Sequence, residues 1–322
     1  MEQTSYQNPL VSTDFPDPSV LFVHQKGYYA YATHDQFSPT QANILLRRSP
    51  DLIHWSEPTG ALVAKPVWAR KCERFWCPQV VYVNGQYRLY YAAESDAKDG
   101  MHLALALSDT PDNFVDIGVP LSDSNGSYAM IDPCFFADPK TGRHYLYYGS
   151  AHEPIRAIEL AADGRTFIGS PTDVLWPRPG VPFETLREGA FVTYVSAWDR
   201  YFLWISGDNT WATNGYAVSV YWSTNPVRDF APIPEPHSIL KPNEHWDSPG
   251  QACVLPDAAG VDWLIYHAVD TTDRYITGTN FFLRKMCMDR IVYSAEGWPS
   301  IATNSPSFDR QPGPTTEHQS FS

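Results

Sequence analysis

Three carboxylic acids stand at comparable points in widely separated segments of this 322-residue chain: Asp17 in FPDPSV, Asp132 in IDPCFF and Glu188 in REGAFV. Each opens a β-rich run, so a fold that gathers the starts of these runs would place three carboxyl groups in one pocket. Carboxylates held close together repel, which raises the pKa of at least one of them and is costly unless a reaction uses it. Two acids in different environments are what cleavage of a glycosidic bond requires: one protonated, to donate to the leaving oxygen, and one ionised, to deprotonate water. Taken singly, each residue also reads as a turn aspartate before proline or a glutamate at a strand start. The match of three positions is what points to chemistry.

The elements that must position these acids recur. FPDPSVLFVHQKGYYAYAT at 15–33, WCPQVVYVNGQYRLYYAA from Trp76, IDPCFFADPKTGRHYLYYGS from Ile131, REGAFVTYVSAWDRYFLWISG from Arg187 and SPGQACVLPDAAGVDWLIYHA from Ser248 share one plan. A polar or acidic head leads into a strand, a Gly, Asn or Asp turn, and an alternating aromatic strand, which is the signature of a hairpin. Five copies spaced by roughly 50 to 60 residues predict an all-β fold, a five-bladed β-propeller, with the polar heads meeting around the axis on one face. The first unit closes through 44–56, where Trp55 packs back on the core. The second runs over 72–120 with its turn at Asn84-Gly85, the third starts at Tyr128, the fourth covers 183–230 and the fifth 245–299. The propeller would occupy 1–301 as a single domain, with 2–14 as a polar lead-in. Residues 302–322, rich in Ser, Pro and Gln, are expected to be disordered or laid loosely on the surface.

Composition narrows the partners. Tyr 19, Phe 16 and Trp 11 beside Pro 28 suit packed sheets and many turns. A formal net charge of −13 argues against nucleic acid or an anionic membrane, because phosphate binding needs a basic face. A neutral substrate fits better. The five cysteines, Cys72, Cys77, Cys134, Cys253 and Cys287, are odd in number, scattered and without a C-x-x-C, so neither a disulfide framework nor a zinc site is predicted and most should be small buried groups. Residues 1–10 lack the pattern of a secretory signal and no run of about 18 apolar residues exists. The expectation is a soluble cytoplasmic chain as it stands, or a secreted one had a signal been removed.

With these segments in view, the chain resembles glycoside hydrolase family 43 over about residues 7 to 300, through FPDPSV, SPDLIHWS, FWCPQV, IDPCFF and REGAFV in their joint order. The resemblance implies a catalytic pocket at the centre of one face, hydrolysis by a single displacement with inversion, Asp17 as general base, Glu188 as general acid, and Asp132 as an ionised neighbour that tunes and orients the acid. It implies substrate contacts for Trp76, Gln251, His267 and Arg284, with Arg284 reaching either sugar hydroxyls or a catalytic carboxylate. It implies no required cofactor, and leaves room for a calcium or other cation near His267, a residue that otherwise reads as a buried, hydrogen-bonded histidine. Two positions depart from the family pattern: Gln79 stands where many members have Glu, and Gln251 where many have His. An arabinose- or xylose-containing saccharide is the expected substrate, α-L-arabinofuranosidase the favoured activity, and β-xylosidase, arabinanase or a galactan-active hydrolase the alternatives. Exo or endo action depends on loops. Two readings lie outside this one. Sucrose-cleaving propellers carry RDP and EC motifs, against Ile131-Asp132-Pro133 and Glu188-Gly189 here, and a non-catalytic carbohydrate-binding propeller would not need three acids.

Overall fold

The hairpin expected at Asn84-Gly85 forms as written: Phe75–Val83 runs antiparallel to Gln86–Glu94, with Val83 opposite Gln86. Both turn residues have positive φ, 53° and 82°, the backbone of the turn type whose twist matches the flanking strands. Four analogous hairpins begin the other units. The computed structural model describes residues 4–34, 43–124, 126 and 128–316.

Five antiparallel sheets follow one another along the chain, each built from consecutive strands. Blade I comprises Ser19–Val23, Gly27–Ala32, Leu45–Ser49 and Thr59–Gly60; blade II comprises Phe75–Val83, Gln86–Glu94, Met101–Ser108 and Val115–Asp116. Blade III comprises Cys134–Ala137, His144–Tyr148, Ile155–Leu160 and Phe167–Leu175. Blade IV comprises Arg187–Val195, Arg200–Asp208, Tyr216–Ser223 and Ala231–Pro232, with Ser238–Leu240 also paired to its third strand. Blade V comprises Trp246–Pro256, Asp262–Asp270, Arg284–Tyr293 and Pro299–Ile301. Among the described residues the helical content is one 3-10 turn, Ser196–Trp198. The five-bladed propeller is therefore the fold.

The alternation of side chains along each strand joins the blades into a ring. Successive residues of a strand point to opposite faces of the sheet, and here both faces are covered. Leu89 and Tyr91 pack towards blade I, whereas Tyr90 packs with Phe135 and Leu146 of blade III. In blade IV, Tyr201, Leu203 and Ile205 face blade III while Phe202 and Trp204 face blade V. The fifth cluster joins Val20, Tyr28 and Ala30 of blade I to Trp263, Ile265 and Met286 of blade V, with Trp55 against it. Each central strand thus needs apolar residues at every position. Truncating one of the fully buried rings, such as Trp204, would cost about 3–5 kcal/mol.

The two ends of the chain meet on blade V. Ser5–Tyr6 pairs with Gln311–Pro312, and residues 8–15 run along Arg284–Tyr293, with Leu10 N–H on Met286 O at 2.8 Å and the Asn8 amide exchanging bonds of 3.0 Å with Met288. The lead-in therefore covers an edge that would otherwise expose unpaired backbone. The stretch after Ile301 differs from the expected loose tail as far as it is described. Ser307 N–H donates to the buried Asp289 at 3.0 Å, Trp246 Nε1 donates to Ser307 O at 2.9 Å, and Thr315 N–H reaches Asp257 at 2.9 Å. Composition weighs apolar burial and is blind to such polar anchors. Residues 317–322 lie outside the described part.

Candidate active site

Each blade's innermost strand is entered through one residue with left-handed backbone: Asp17 (φ 55°), Cys77 (48°), Asp132 (59°), Gly189 (62°) and Gln251 (50°). Such a conformation costs a non-glycine residue roughly 1–2 kcal/mol, and here it recurs four times around one axis. The surrounding sheets hold it in place, and the turn it makes aims the side chains at the centre. At the fourth position the residue is glycine, and a Cβ on residue 189 would lie 2.2 Å from Gln251 Oε1, the end of a side chain that would have to move. Glu188 precedes that glycine and so projects into the same centre.

Asp17, Asp132 and Glu188 line one cavity of about 210 Å³, together with Trp76, Gln251 and Arg284. A narrower space of about 30 Å³ continues below it between Cys77, Asp132 and Gln251. The arrangement expected of the three acids is present, on one face and at one hollow.

Their surroundings differ sharply. Burial acts to raise the pKa of Asp17, but the Arg284 guanidinium, donating to Oδ1 at 3.0 Å, and His267 overcome it and hold the carboxyl well below the usual range. His267 Nδ1 is 3.2 Å from Asp17 Oδ1 and takes the Asp17 backbone N–H at 3.1 Å, while Nε2 lies 3.4 Å from Thr210 Oγ1. Burial lowers the pKa of His267 itself, against the pull of Asp17. Glu188 is pushed the other way: burial raises its pKa, the hydroxyls of Ser150 and Tyr216 lower it in part, and the charge of Asp17 raises it again. Those hydroxyls fix both oxygens, Ser150 on Oε2 at 2.6 Å and Tyr216 on Oε1 at 2.7 Å.

Asp132 is the most buried of the three acids. It is 3% exposed, and burial followed by the charge of Glu188 raises its pKa well above the usual value. Gly189 N–H donates to Oδ2 at 2.8 Å, and Oδ1 is buried without a hydrogen-bond donor. The titrations of Asp132 and Glu188 are therefore interdependent.

The remaining expected residues divide. Trp76 lines the cavity and stacks on Tyr128, ring centroids 5.9 Å apart. Arg284 lines it too, bound to Asp17 and 4.9 Å from the Trp211 ring. Gln251 reaches the cavity by lying over Gly189. His267, expected to touch substrate, is instead 1% exposed and stands behind Asp17, stacked parallel to Tyr216. The two ring nitrogens of His267 face Asp17 and Thr210, and no three His, Cys, Asp or Glu side chains are grouped for a metal among the described residues. Gln79 lies outside the main cavity and acts as a strut. Its Oε1 accepts the N–H of Phe135, three residues after Asp132. An amide can both accept and donate there, which a carboxylate cannot.

Sequence reasoning missed Ser150, Tyr216, Thr33 and Trp211. Ser150 and Thr33 each follow closely on the second strand of a repeat, at its axial end, a positional signal that was available. Tyr216 and Trp211 come from the other side of blade IV and carry no such mark. Behind Glu188 the sequence also conceals a buried charged cluster: Glu184 accepts from Arg187 at 2.6 Å and from Arg178, and faces His237 Nε2 at 2.6 Å. It anchors the start of the strand that carries the acid.

Comparison with known proteins agrees with this geometry. The chain is 26% identical over 309 residues to a protein of Aspergillus clavatus named as a probable arabinan endo-1,5-alpha-L-arabinosidase A, covering 88% of this chain and 90% of that one. It is 25% identical over 340 residues to a probable arabinan endo-1,5-alpha-L-arabinosidase D of Emericella nidulans, covering 94% and 86%. The crystal structure of a thermostable family-43 glycoside hydrolase superposes with a TM-score of 0.80 at 24% identity, covering 97% of this chain and all of that one. The model of Glycosyl hydrolases family 43 matches residues 6–299. Nearly the whole propeller is spanned by that match, so the chain belongs to glycosyl hydrolase family 43 and is an inverting glycoside hydrolase.

Proposed function

We propose that this protein hydrolyses α-L-arabinofuranosyl linkages of arabinan-type saccharides, with Asp17 as general base and Glu188 as general acid. The observation that carries the residue roles is the opposite shift of two carboxyl groups facing one cavity, which is how a site keeps one acid ionised and the other protonated at the same pH. The substrate class is supported by the arabinan-active names of the curated relatives.

In the inverting step Asp17 takes a proton from water on one side of the anomeric carbon while Glu188 protonates the departing oxygen on the other. Arg284 and His267 keep Asp17 ionised and fixed. Ser150 and Tyr216 orient Glu188, and since hydroxyls both accept and donate, they can turn to donate to the carboxylate that appears as the proton leaves. Asp132, held by the backbone N–H of Gly189 next to Glu188, tunes the acid. Trp76 offers a flat apolar face to the C–H surface of a sugar.

The test is a panel of aryl α-L-arabinofuranoside, β-xyloside, galactoside and galactofuranoside together with linear 1,5-arabinan, with NMR of the first-formed anomer. The proposal expects turnover of the arabinofuranoside or arabinan, with the inverted anomer appearing first. Turnover of the xyloside or galactoside alone would overturn the substrate class, and no turnover of any glycoside would favour a sugar-binding propeller.

A further inference from the structure

The cavity that holds the three acids is about 210 Å³, smaller than the roughly 300–1,000 Å³ of pockets that enclose most of a drug-sized ligand. It takes the end of a saccharide, and the sugars beyond that end must lie on its rim. The rim carries an aromatic run that the reaction does not use. Trp211 lines the cavity and is 43% exposed. Its ring meets Phe281 edge-on, centroids 5.6 Å apart, and Phe282 at 6.2 Å, and Phe282 in turn meets Tyr275 at 5.6 Å. Packing accounts for part of this group only. Phe282 is 5% exposed, whereas Phe281 beside it is 37% and Tyr275 49% exposed, and neighbouring apolar rings left open to water mark a binding surface.

The run is held from two blades. Residues 274–283, between the second and third strands of blade V, form a hairpin in which Tyr275 pairs with Phe282, Ile276 N–H donates to Phe281 O at 2.9 Å and Leu283 N–H donates to Arg274 O at 2.7 Å. Trp211 belongs to the connection between the second and third strands of blade IV, which Asn209 N–H closes on Gly215 O at 2.7 Å. Asp247, 1% exposed, joins the two: Oδ1 accepts the Asn214 N–H at 2.7 Å and Oδ2 accepts from the Arg274 guanidinium at 2.5 Å. A buried carboxylate that fixes both rim loops keeps the aromatic surface pre-organised, which cuts the ordering cost of a ligand that lands on it.

We propose that Phe281 and Tyr275, continuing Trp211 outward from the cavity, form a sugar-binding wall for the units of the substrate chain beyond the one in the cavity. The occupant is the neutral saccharide whose end enters the cavity, because the wall is continuous with the cavity through Trp211 and its rings offer apolar surface to sugar C–H groups. Phe281 and Tyr275 then set the preference for chain length, while the carboxyl groups carry out the cleavage. The inference rests on the arabinan-type substrate of the proposed function.

The experiment compares kcat/KM of wild type, F281A, Y275A and Y128A on linear α-1,5-arabino-oligosaccharides of increasing length and on an aryl α-L-arabinofuranoside, with circular dichroism to establish folding. Tyr128, stacked on Trp76 and 51% exposed, is the alternative place for the outer sugars. If the substrate panel shows turnover of the xyloside or galactoside instead, oligosaccharides of that sugar take the place of the arabino series. Wild type should gain with chain length. The ratio of kcat/KM on the long oligosaccharide to that on the aryl glycoside should fall about ten-fold in F281A, the worth of covering one face of an aromatic ring, and by less in Y275A, one ring further from Trp211. A wild-type rate that does not rise with length, an equal loss on every substrate in F281A, or a length-dependent loss in Y128A with none in F281A would overturn the proposal. If no glycoside is turned over, the functional reading fails, while titration of tryptophan fluorescence with arabinohexaose still decides on the wall: weaker binding in F281A than in wild type supports it, and equal titrations overturn it.

Discussion

Replacing Arg284 by methionine removes the charge that holds Asp17 ionised and leaves a side chain of similar length. The guanidinium donates to Asp17 Oδ1 at 3.0 Å and both side chains are 8% exposed, so the interaction is not discounted by solvent. Coulomb's law at that distance and an effective dielectric of about 20 gives an attraction of about 5 kcal/mol, part of which offsets the desolvation of the two ions. An aspartate beside an arginine is commonly lowered by about 1–3 units, or about 1.4–4 kcal/mol. In R284M the desolvation of Asp17 is met by His267 and Thr33 alone, and its pKa rises by that amount. The sign follows from linkage. A carboxyl held below its unfolded value of about 3.9 contributes stability that is fully present above that pH and is lost as pH falls through the folded pKa. The wild type should therefore show no loss of the base within the ordinary carboxylate range, and its activity at low pH should end where the fold ends. R284M should show an acid limb in kcat/KM at or above the ordinary carboxylate range, together with a loss of about 3–5 kcal/mol in urea unfolding at neutral pH from the uncompensated charge. Arg284→Lys, which keeps a charge without the planar fork, should fall between. An R284M profile whose acid limb coincides with that of the wild type would refute the claim that this contact sets the state of Asp17.

Other outcomes follow from the same geometry. Glu188→Ala should lose most activity on substrates with poor leaving groups and retain more on activated aryl glycosides; equal loss on both, measured as kcat/KM, would remove Glu188 from the acid role. Tyr216→Phe deletes a donor that lowers the pKa of Glu188, so the alkaline limb should move up, and the loss of one hydrogen bond to a charged group, about 1.5–3 kcal/mol, should reduce kcat by about ten-fold or more. Gly189→Ala introduces a Cβ 2.2 Å from Gln251 Oε1 at a left-handed position. It should destabilise the protein by about 1–3 kcal/mol in denaturant unfolding, and adding Gln251→Ala should recover the steric part alone.

The repeats made the fold legible because each blade writes its hairpin locally: a turn such as Asn84-Gly85 and an alternating strand such as Tyr87 to Ala93 need no distant information. The axial acids were legible for the same reason, since Asp17 and Asp132 occupy equivalent points in their repeats and Glu188 the point one residue earlier. What the repeats could not carry was the company those acids keep. Ser150 and Tyr216 meet Glu188 only after blades III and IV have closed on the axis; Ser150 is marked only by its place just after the second strand of its repeat, and nothing in the neighbourhood of Tyr216 along the chain marks it. The same limit applies to His267, whose place behind Asp17 joins residues 250 positions apart. The burial of Asp132 was not legible either, because a motif gives a residue's position and not its solvation. The tail was misread because Asp289 and Asp257, buried in blade V, supply anchors that the composition of 302–316 does not reveal.

The central claim is that Asp17 and Glu188 hold opposite proton states at one cavity. Carbon-13 NMR of side-chain carboxyls, assigned through Asp17→Asn and Glu188→Gln and followed across pH, measures this directly. Asp17 should remain ionised below the ordinary carboxylate range for as long as the protein stays folded, while Glu188 should keep its proton above that range. Titration of both groups at ordinary values, or in the reverse order, would contradict the account.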